Sequence, residues 1–401
     1  MRSYQHVHHS SSRLSAIVAR IVFLNNQGLG EVGGGVTMLR HLAEDLARDH
    51  AVTVASYDVP VGHAAIAEVR IAAPGEPGRA WRIAPLRRAW HLRQAVPRAL
   101  LDAADLVVVL DCHFAAPVRA AMGRRATARR GGRRLIHLAL SCTPAQERAG
   151  GAGGLIARQY AWLEARLGRA ADQIIVSSRL QAAEMERESG LPAAAARVLY
   201  PTLPASLPPS PLPARDARGC VILCAGRLVP GKSFDAALRL LAGLAGLDWR
   251  LLVAGDGPER ARLAAEATRL GIGERVEFLG AQPSIEPLLA RADLLVHPSR
   301  YESFGMALFE AMRAGRPAVA AAAPALIGLR ELVGPPSDAD APSPVDFIDF
   351  TSPEGAARVA RLITDTALRT ASGQAARAFA ERQLTTSYAA GFRAIAGLRP
   401  A

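Results

Sequence analysis

The sequence predicts an α/β protein with two doubly wound parallel sheets that face each other across a central cleft. Three observations carry this. Both halves of the 401-residue chain alternate short β-branched or apolar runs with longer helical patterns, and such alternation implies parallel strands joined by right-handed helical crossovers. Between the halves, Pro201–Pro213 holds six prolines in thirteen residues, a density that excludes helix and central strand and reads as a stiff linker. Glycine-rich and charged motifs follow several of the strand runs, where ligands bind in sheets of this kind.

Residues 1–15 are polar and rich in histidine and lack the apolar core of a signal peptide, so a disordered tail is expected there. The first domain is expected over residues 16–200, the linker over 201–215 and the second domain over 216–401, with the last helix packing back on the first domain. Strands of the first domain are expected at Ala16–Leu24, Val52–Ser56, Leu106–Leu110, Leu135–Leu140, Gln173–Val176 and Val198–Tyr200. Those of the second are expected at Val221–Cys224, Trp249–Ala254, Val276–Leu279, Leu294–His297 and Ala318–Ala320.

Half the residues are hydrophobic, enough for two sizeable cores, and no apolar run reaches the roughly 18 residues that would cross a bilayer. The four cysteines, Cys112, Cys142, Cys220 and Cys224, have no zinc-ligand spacing and fit reduced, buried thiols in a cytosolic protein. Of the net charge of +12, residues 1–205 carry +10, from 26 basic and 16 acidic side chains. The densest part is Arg119–Arg134, and no acidic residue falls between Asp111 and Glu147. A basic stretch of this kind meets anionic lipid, acidic substrate or nucleic acid, or is simply a solvated arginine-rich loop.

Lys232 is the only lysine among 48 basic residues. It closes Gly226-Arg227-Leu228-Val229-Pro230-Gly231-Lys232, a loop at the end of a predicted strand, where a lysine kept in so arginine-rich a chain points to a need for a compact ammonium, a point charge with three rotatable donors, beside an anion such as phosphate. Asn25–Gly35 follows the first strand and contains Gly33, Gly34 and Gly35 ahead of a helix from Val36, so backbone can approach a ligand there. The spacing is not a clean G-x-G-x-x-G, and no acidic residue ends the next strand at Ser56–Tyr57, which argues against a nicotinamide cofactor. Gly255-Asp256-Gly257-Pro258 is a tight turn after a strand. In His297–Met312, a helix opened by Gly305 would aim the N–H groups near Ser303, Phe304, Gly305 and Met306 at a diphosphate. At helical rise, Glu302 and Glu310 would lie about 12 Å apart, one for hydroxyls on each side of that diphosphate. This suits a nucleotide sugar.

In these residues the C-terminal half resembles the donor-binding domain of glycosyltransferase family 4, the group 1 retaining enzymes of the GT-B fold, which pairs two Rossmann-like domains. Gly226–Lys232, Gly255–Pro258, Phe278–Gly280, Asp293–His297 and Glu302–Glu310 follow in family order and spacing. Gly315–Val319 follows as in the family, and Arg330–Leu332 resembles its next strand and loop. The resemblance implies that Arg227 and Lys232 bind the diphosphate, that Glu310 holds the ribose hydroxyls and that Glu302 faces the sugar. It also implies that Gly33–Gly35 is the family's glycine loop. One departure stands out: where many members carry a histidine after the strand at Leu135–Leu140, this chain has Cys142. His137, His113 and Cys142 itself remain alternatives for that role, as does a vacant position. His113 lies after the strand at Leu106–Leu110 as a cleft residue.

The expectation is therefore a metal-independent transferase, without an Asp-x-Asp motif at a strand end, that moves a hexose from a UDP- or GDP-sugar to a glycan or lipid-linked acceptor with retention. The Arg119–Arg134 stretch, with Trp81, Arg82, Arg87, Arg88, Trp90 and Arg93, is expected to bring it to the inner face of an anionic membrane. A non-catalytic GT-B subunit that binds nucleotide sugar or scaffolds a partner is the alternative.

Overall fold

The computed structural model describes residues 19–30, 33–58, 60–71, 85–122, 133–151, 153–202, 219–322, 326–334, 341–383 and 387–398. The expected tail, most of the Pro-rich linker, Trp81, Arg82 and Arg124–Arg130 lie outside those residues.

In the first half the strands are β1 (Arg20–Leu24), β2 (Ala51–Ser56), β3 (Ala67–Arg70), β4 (Leu106–Val109), β5 (Arg134–Ala139), β6 (Gln173–Val176) and β7 (Ala196–Val198). They form one sheet in the order 3-2-1-4-5-6-7, and every neighbouring pair is parallel. The second half adds β8 (Cys220–Ala225), β9 (Trp249–Ala254), β10 (Val276–Gly280), β11 (Leu294–His297), β12 (Tyr301–Glu302), β13 (Ala318–Ala321), β14 (Leu326–Ile327) and β15 (Val345–Ile348). Six of these make a second parallel sheet in the order 10-9-8-11-13-15, while β12 and β14 pair separately.

The central strands bury both faces, which is why they read as near-continuous apolar runs. On the first sheet Val22, Leu24, Val107 and Val109 face a layer that includes the helices Pro85–Ala95, Ala115–Met122, Gly154–Ala170 and Arg179–Ser189. Ile21, Phe23, Leu106 and Val108 point the other way, onto the helices Gly34–Leu46 and Tyr388–Ala396. The last of these helices comes from the far end of the chain. Its Phe392 ring lies 6.5 Å from that of Phe23, and its Arg393 pairs with Asp45 and, at 3.0 Å, with Asp49.

Strand order reverses between β1 and β4 in one sheet and between β8 and β11 in the other. At such a point the connections leave in opposite directions and open a crevice at the carboxyl ends of the strands.

Three elements differ from the expectations. Ala67–Arg70 is a strand at the sheet edge that the sequence does not announce, because only Val69 in it is strongly β-forming. Val345–Ile348 is a strand that none of the expected runs covers; as an edge strand it tolerates Pro342 and Pro344 just before it. Arg330–Val333 is a short helix, and the strand residues precede it as β14.

Candidate active site

The loops that leave β8 and β9 lie side by side. A Cβ on Gly255, whose φ is +142°, would come within 1.9 Å of the Gly226 carbonyl oxygen. Only glycine permits that approach, and it lets Leu228 N–H donate to Asp256 O at 2.9 Å. The Gly-Asp-Gly-Pro turn thus braces the segment that carries Arg227 and Lys232. Lys232 closes a short 3-10 turn, Pro230–Lys232. Arg227 is exposed.

The ammonium of Lys232 pairs with Glu302 Oε1, and His297 Nε2 lies 3.0 Å from the same oxygen. His297 is the last residue of β11, and Glu302 ends β12. Burial opposes the charge on Glu302, but Lys232 first and His297 second outweigh it and hold the carboxyl well below the usual carboxylate range. Two site residues 70 positions apart in sequence are brought into direct contact.

Gly305, with a φ of 101°, opens the helix Met306–Arg313, and no side chain caps it. Its first N–H groups are therefore available to a ligand anion. Glu302 is on a strand and Glu310 on this helix, so the helical rise that set their expected separation does not apply across residues 302–305. Burial, and then the charge of Glu286, push the Glu310 carboxyl up to about 7. The opposite wall is close: a Cβ on Gly34 would come within 3.1 Å of Met306 Cβ. Gly33 stands at the N-terminus of the helix Gly34–Leu46, also without a side-chain cap, and Gly35 faces Leu140. Further links join the halves. The Ser178 hydroxyl donates to Ser303 O at 3.3 Å. Glu331 accepts from the N–H groups of Arg179 and Leu180, both at 2.9 Å. Arg300 donates to Ala149 O at 2.9 Å. Phe304 is buried and supports this wall from beneath.

On the N-terminal side, β4 runs into Asp111 and the 3-10 turn Cys112–Phe114. His113 is buried, its backbone N–H donates to Asp111 Oδ1 at 2.8 Å, and its Nδ1 bonds the same oxygen. Burial disfavours ionised Asp111, yet His113 and then Arg88 hold its carboxyl well below the usual range. With a proton on Nδ1 donated to Asp111, Nε2 is left as a lone-pair acceptor; among the described residues it has no hydrogen-bond partner. Tyr160 stacks edge-on against the ring at 5.1 Å. Glu147, on the helix Thr143–Ala149, is pushed up by burial, an effect that His113 and Arg227 offset from either side of the cleft.

The other two residues considered for the family's histidine role are buried as well and have different company. Cys142 is fully buried, its N–H donates to the Tyr301 hydroxyl at 2.5 Å and its thiol to Glu164 at 3.7 Å. Burial, and then Glu164, push that thiol far up, so it is neither nucleophile nor base. His137 is buried within β5, and burial pushes its pKa down to about 4. Asp111, Cys112 and His113 offer ligand atoms within 4.8 Å of one another. Asp111 already accepts both His113 hydrogens, and burial keeps the Cys112 thiol protonated, so this group fits an acid–base pair better than a cation site.

Asp111, Arg88, Glu147 and His297 are site residues that sequence reasoning missed. Asp111-x-His113 at a strand end was a visible signal; the others depend on which strands become neighbours.

Two parallel sheets with facing switch points, a cationic loop and an uncapped helix on one side and a glycine loop on the other, define a GT-B protein. The chain belongs to the group 1 glycosyltransferases: residues 214–342 match the family model described as Glycosyl transferases group 1, and residues 32–206 match that of Glycosyltransferase Family 4. It is 42% identical over 103 residues to a GDP-mannose-dependent alpha-(1-6)-phosphatidylinositol dimannoside mannosyltransferase of Mycobacterium tuberculosis, a match spanning 25% of this chain and 27% of that protein. It is 39% identical over 168 residues to a D-inositol 3-phosphate glycosyltransferase of a Mycobacterium species, covering 38% of this chain and 37% of that one. Among solved structures it is similar to Anabaena HepE in complex with UDP and glucose, with a TM-score of 0.70 and 21% identity over 94% of this chain and 99% of that chain. It is also similar to WaaG, a glycosyltransferase involved in lipopolysaccharide biosynthesis, with a TM-score of 0.73 and 20% identity over 94% and 100%.

Proposed function

We propose that this chain is a retaining hexosyltransferase that moves a hexose from a UDP- or GDP-sugar to a glycan or lipid-linked acceptor without a metal ion. One observation carries this: Arg227, the Lys232–Glu302 pair and the uncapped helix at Gly305 converge at the switch point of one sheet, opposite Gly33–Gly35 and the Asp111–His113 pair at the switch point of the other. Arg227, Lys232 and the amides at Ser303–Met306 stabilise the departing diphosphate, where negative charge grows in the transition state. Glu310 accepts the ribose hydroxyls. Glu302, shared between Lys232 and His297, faces the hexose. The acceptor enters from the N-terminal side, against His113 Nε2, and the leaving phosphate takes its proton on the same face of the sugar.

The relatives act on GDP-mannose and inositol phosphate by their names, and HepE binds UDP and glucose. These support a nucleotide-sugar donor. The alternative of a non-catalytic subunit rested on Cys142. Its thiol is kept protonated by burial and Glu164, whereas His113 is held by Asp111 with its Nε2 unpaired among the described residues, and this supports the catalytic reading. The test is a thermal-shift panel of nucleotides and nucleotide sugars, since a ligand that binds the folded state raises the melting temperature. Turnover of labelled UDP- and GDP-hexoses, including slow hydrolysis without acceptor, follows. Stabilisation by a donor with neither transfer nor hydrolysis would select the non-catalytic alternative.

A further inference from the structure

We infer that the outer faces of the helices Pro85–Ala95 and Gly154–Ala170 form one docking surface for an anionic lipid bilayer. Only five large hydrophobic side chains are exposed among the described residues, and four of them lie here: Leu86 (42% exposed), Trp90 (62%), Leu155 (71%) and Trp162 (50%). On the first helix Leu86, Trp90 and Arg93 recur at spacings of four and three, so they share one face with Arg87. On the second, Leu155, Arg158, Trp162 and Arg169 likewise follow one stripe. Arg166 completes it, its guanidinium 4.4 Å from the centre of the Trp162 ring.

Both helices belong to the layer that covers the same side of the first sheet, through Leu92 and Leu167. Their inner faces meet in one cluster, where Ala89, Tyr160 and Leu163 enclose Cys112. Because both helices cover that one side of the sheet, the faces they turn away from it look out on the same side of the molecule. The charge on them has a single sign. The helix Pro85–Ala95 contains no acidic residue, and the only one in Gly154–Ala170 is Glu164, which is buried. Other helices of this layer are mixed; Arg179–Ser189 exposes Glu186 and holds Glu184 and Glu188 in ion pairs with Arg187 and Arg148.

Tryptophan and leucine set among arginines, without carboxylates, match the headgroup region of an anionic membrane. The indoles sit at the acyl boundary, the arginine stems lie along it, and the guanidinium groups meet phosphate. The surface is one helix diameter, roughly 10 Å, from the His113 turn. It places a charge-driven membrane contact on the helices Pro85–Ala95 and Gly154–Ala170.

The test is co-sedimentation of the full chain with vesicles of phosphatidylcholine alone and of phosphatidylcholine mixed with phosphatidylglycerol, at low and high salt. Binding is expected only with phosphatidylglycerol and is lost at high salt, because exposed charge is screened. Trp90→Ser combined with Trp162→Ser should abolish it. Arg87→Gln combined with Arg93→Gln should weaken it roughly 30-fold, about fivefold per arginine. Circular dichroism should show both variants folded. In the wild type, quenching of tryptophan fluorescence by brominated phosphatidylglycerol reports the contact without any substitution. Wild type that stays in the supernatant at low salt, variants that bind as well as wild type, or unquenched tryptophan would each overturn the inference. So would a wild-type dimer, seen by sedimentation velocity, that the tryptophan variant dissolves while vesicles bind neither. Donor hydrolysis without lipid should be equal in wild type and variants, so the transferase reading is judged separately.

Discussion

Replacing Lys232 with Met removes the cation that holds Glu302 in its ionised form while keeping most of the side-chain volume. Breaking a fully buried ion pair by deleting one partner costs about 3–5 kcal/mol. Here Lys232 and Glu302 remain 21% and 16% exposed, and His297 stays 3.0 Å from the orphaned oxygen, so a smaller loss of about 2 kcal/mol is expected. For a domain of this size that lowers the melting temperature by about 4–8 °C. The double variant Lys232→Met with Glu302→Gln removes the stranded charge and should recover most of the loss, because coupled neighbours are not additive. Transfer should stay absent in both, since neither restores a cation at the diphosphate. Lys232→Arg should keep stability but lose rate, because a planar fork does not reproduce the point charge. The assays are thermal unfolding and turnover of a labelled donor, run on all four proteins. An unchanged melting temperature in Lys232→Met would mean that the pair does not hold Glu302. Wild-type turnover in the double variant would mean that Lys232 serves only to neutralise Glu302.

Glu310, pushed up to about 7 by burial and Glu286, should make UDP or GDP bind more tightly as pH rises from 6 to 8, because the ionised carboxylate is the stronger acceptor; calorimetry should find this slope gone in Glu310→Gln. The folded state holds a proton that the unfolded chain has released above its ordinary carboxyl pKa, so Glu310 destabilises the fold once it must ionise. That penalty, at most about 3 kcal/mol, is absent below the ordinary carboxyl pKa and complete as pH rises through 7; urea unfolding at pH 5 and 8 should show a smaller difference in Glu310→Gln. Asp111→Asn, which frees the His113 ring that the acceptor meets, should lower turnover by roughly 10–100-fold, the worth of one hydrogen bond to a charged group, with nucleotide affinity unchanged, and turnover at the wild-type rate would remove His113 from the mechanism. EDTA should leave the rate unchanged; inhibition reversed by magnesium or manganese would reject a diphosphate held by Arg227 and Lys232 alone.

The sheets were legible because their central strands are buried on both faces. Short apolar runs such as Leu294–His297 and Trp249–Ala254, set between helical patterns, leave few other structures for those residues. Val345–Ile348 was not legible, since Pro342 and Pro344 stand before it and only its place at an edge makes them tolerable. The loops Gly226–Lys232 and Gly255–Pro258 were legible because glycine and a lone lysine at a strand end have few other uses. The contact between Lys232 and Glu302 was not, as it depends on β8 and β11 lying side by side. For the same reason Cys142 and His113 could not be ranked: both are buried, and the difference is that Asp111 accompanies His113 while Glu164 accompanies Cys142, which only the packed chain defines.

The return of the last helix to the first sheet has a consequence for the order in which the molecule is made. Tyr388 and Phe392 close the face of Ile21 and Phe23, strand residues that leave the ribosome long before that helix does. The earliest sheet to be synthesised is thus the last to be sealed. Until Phe392 emerges, the nascent chain carries an open apolar face beside Asp45 and Asp49, whose carboxylates help keep that waiting surface hydrated until Arg393 arrives to claim them.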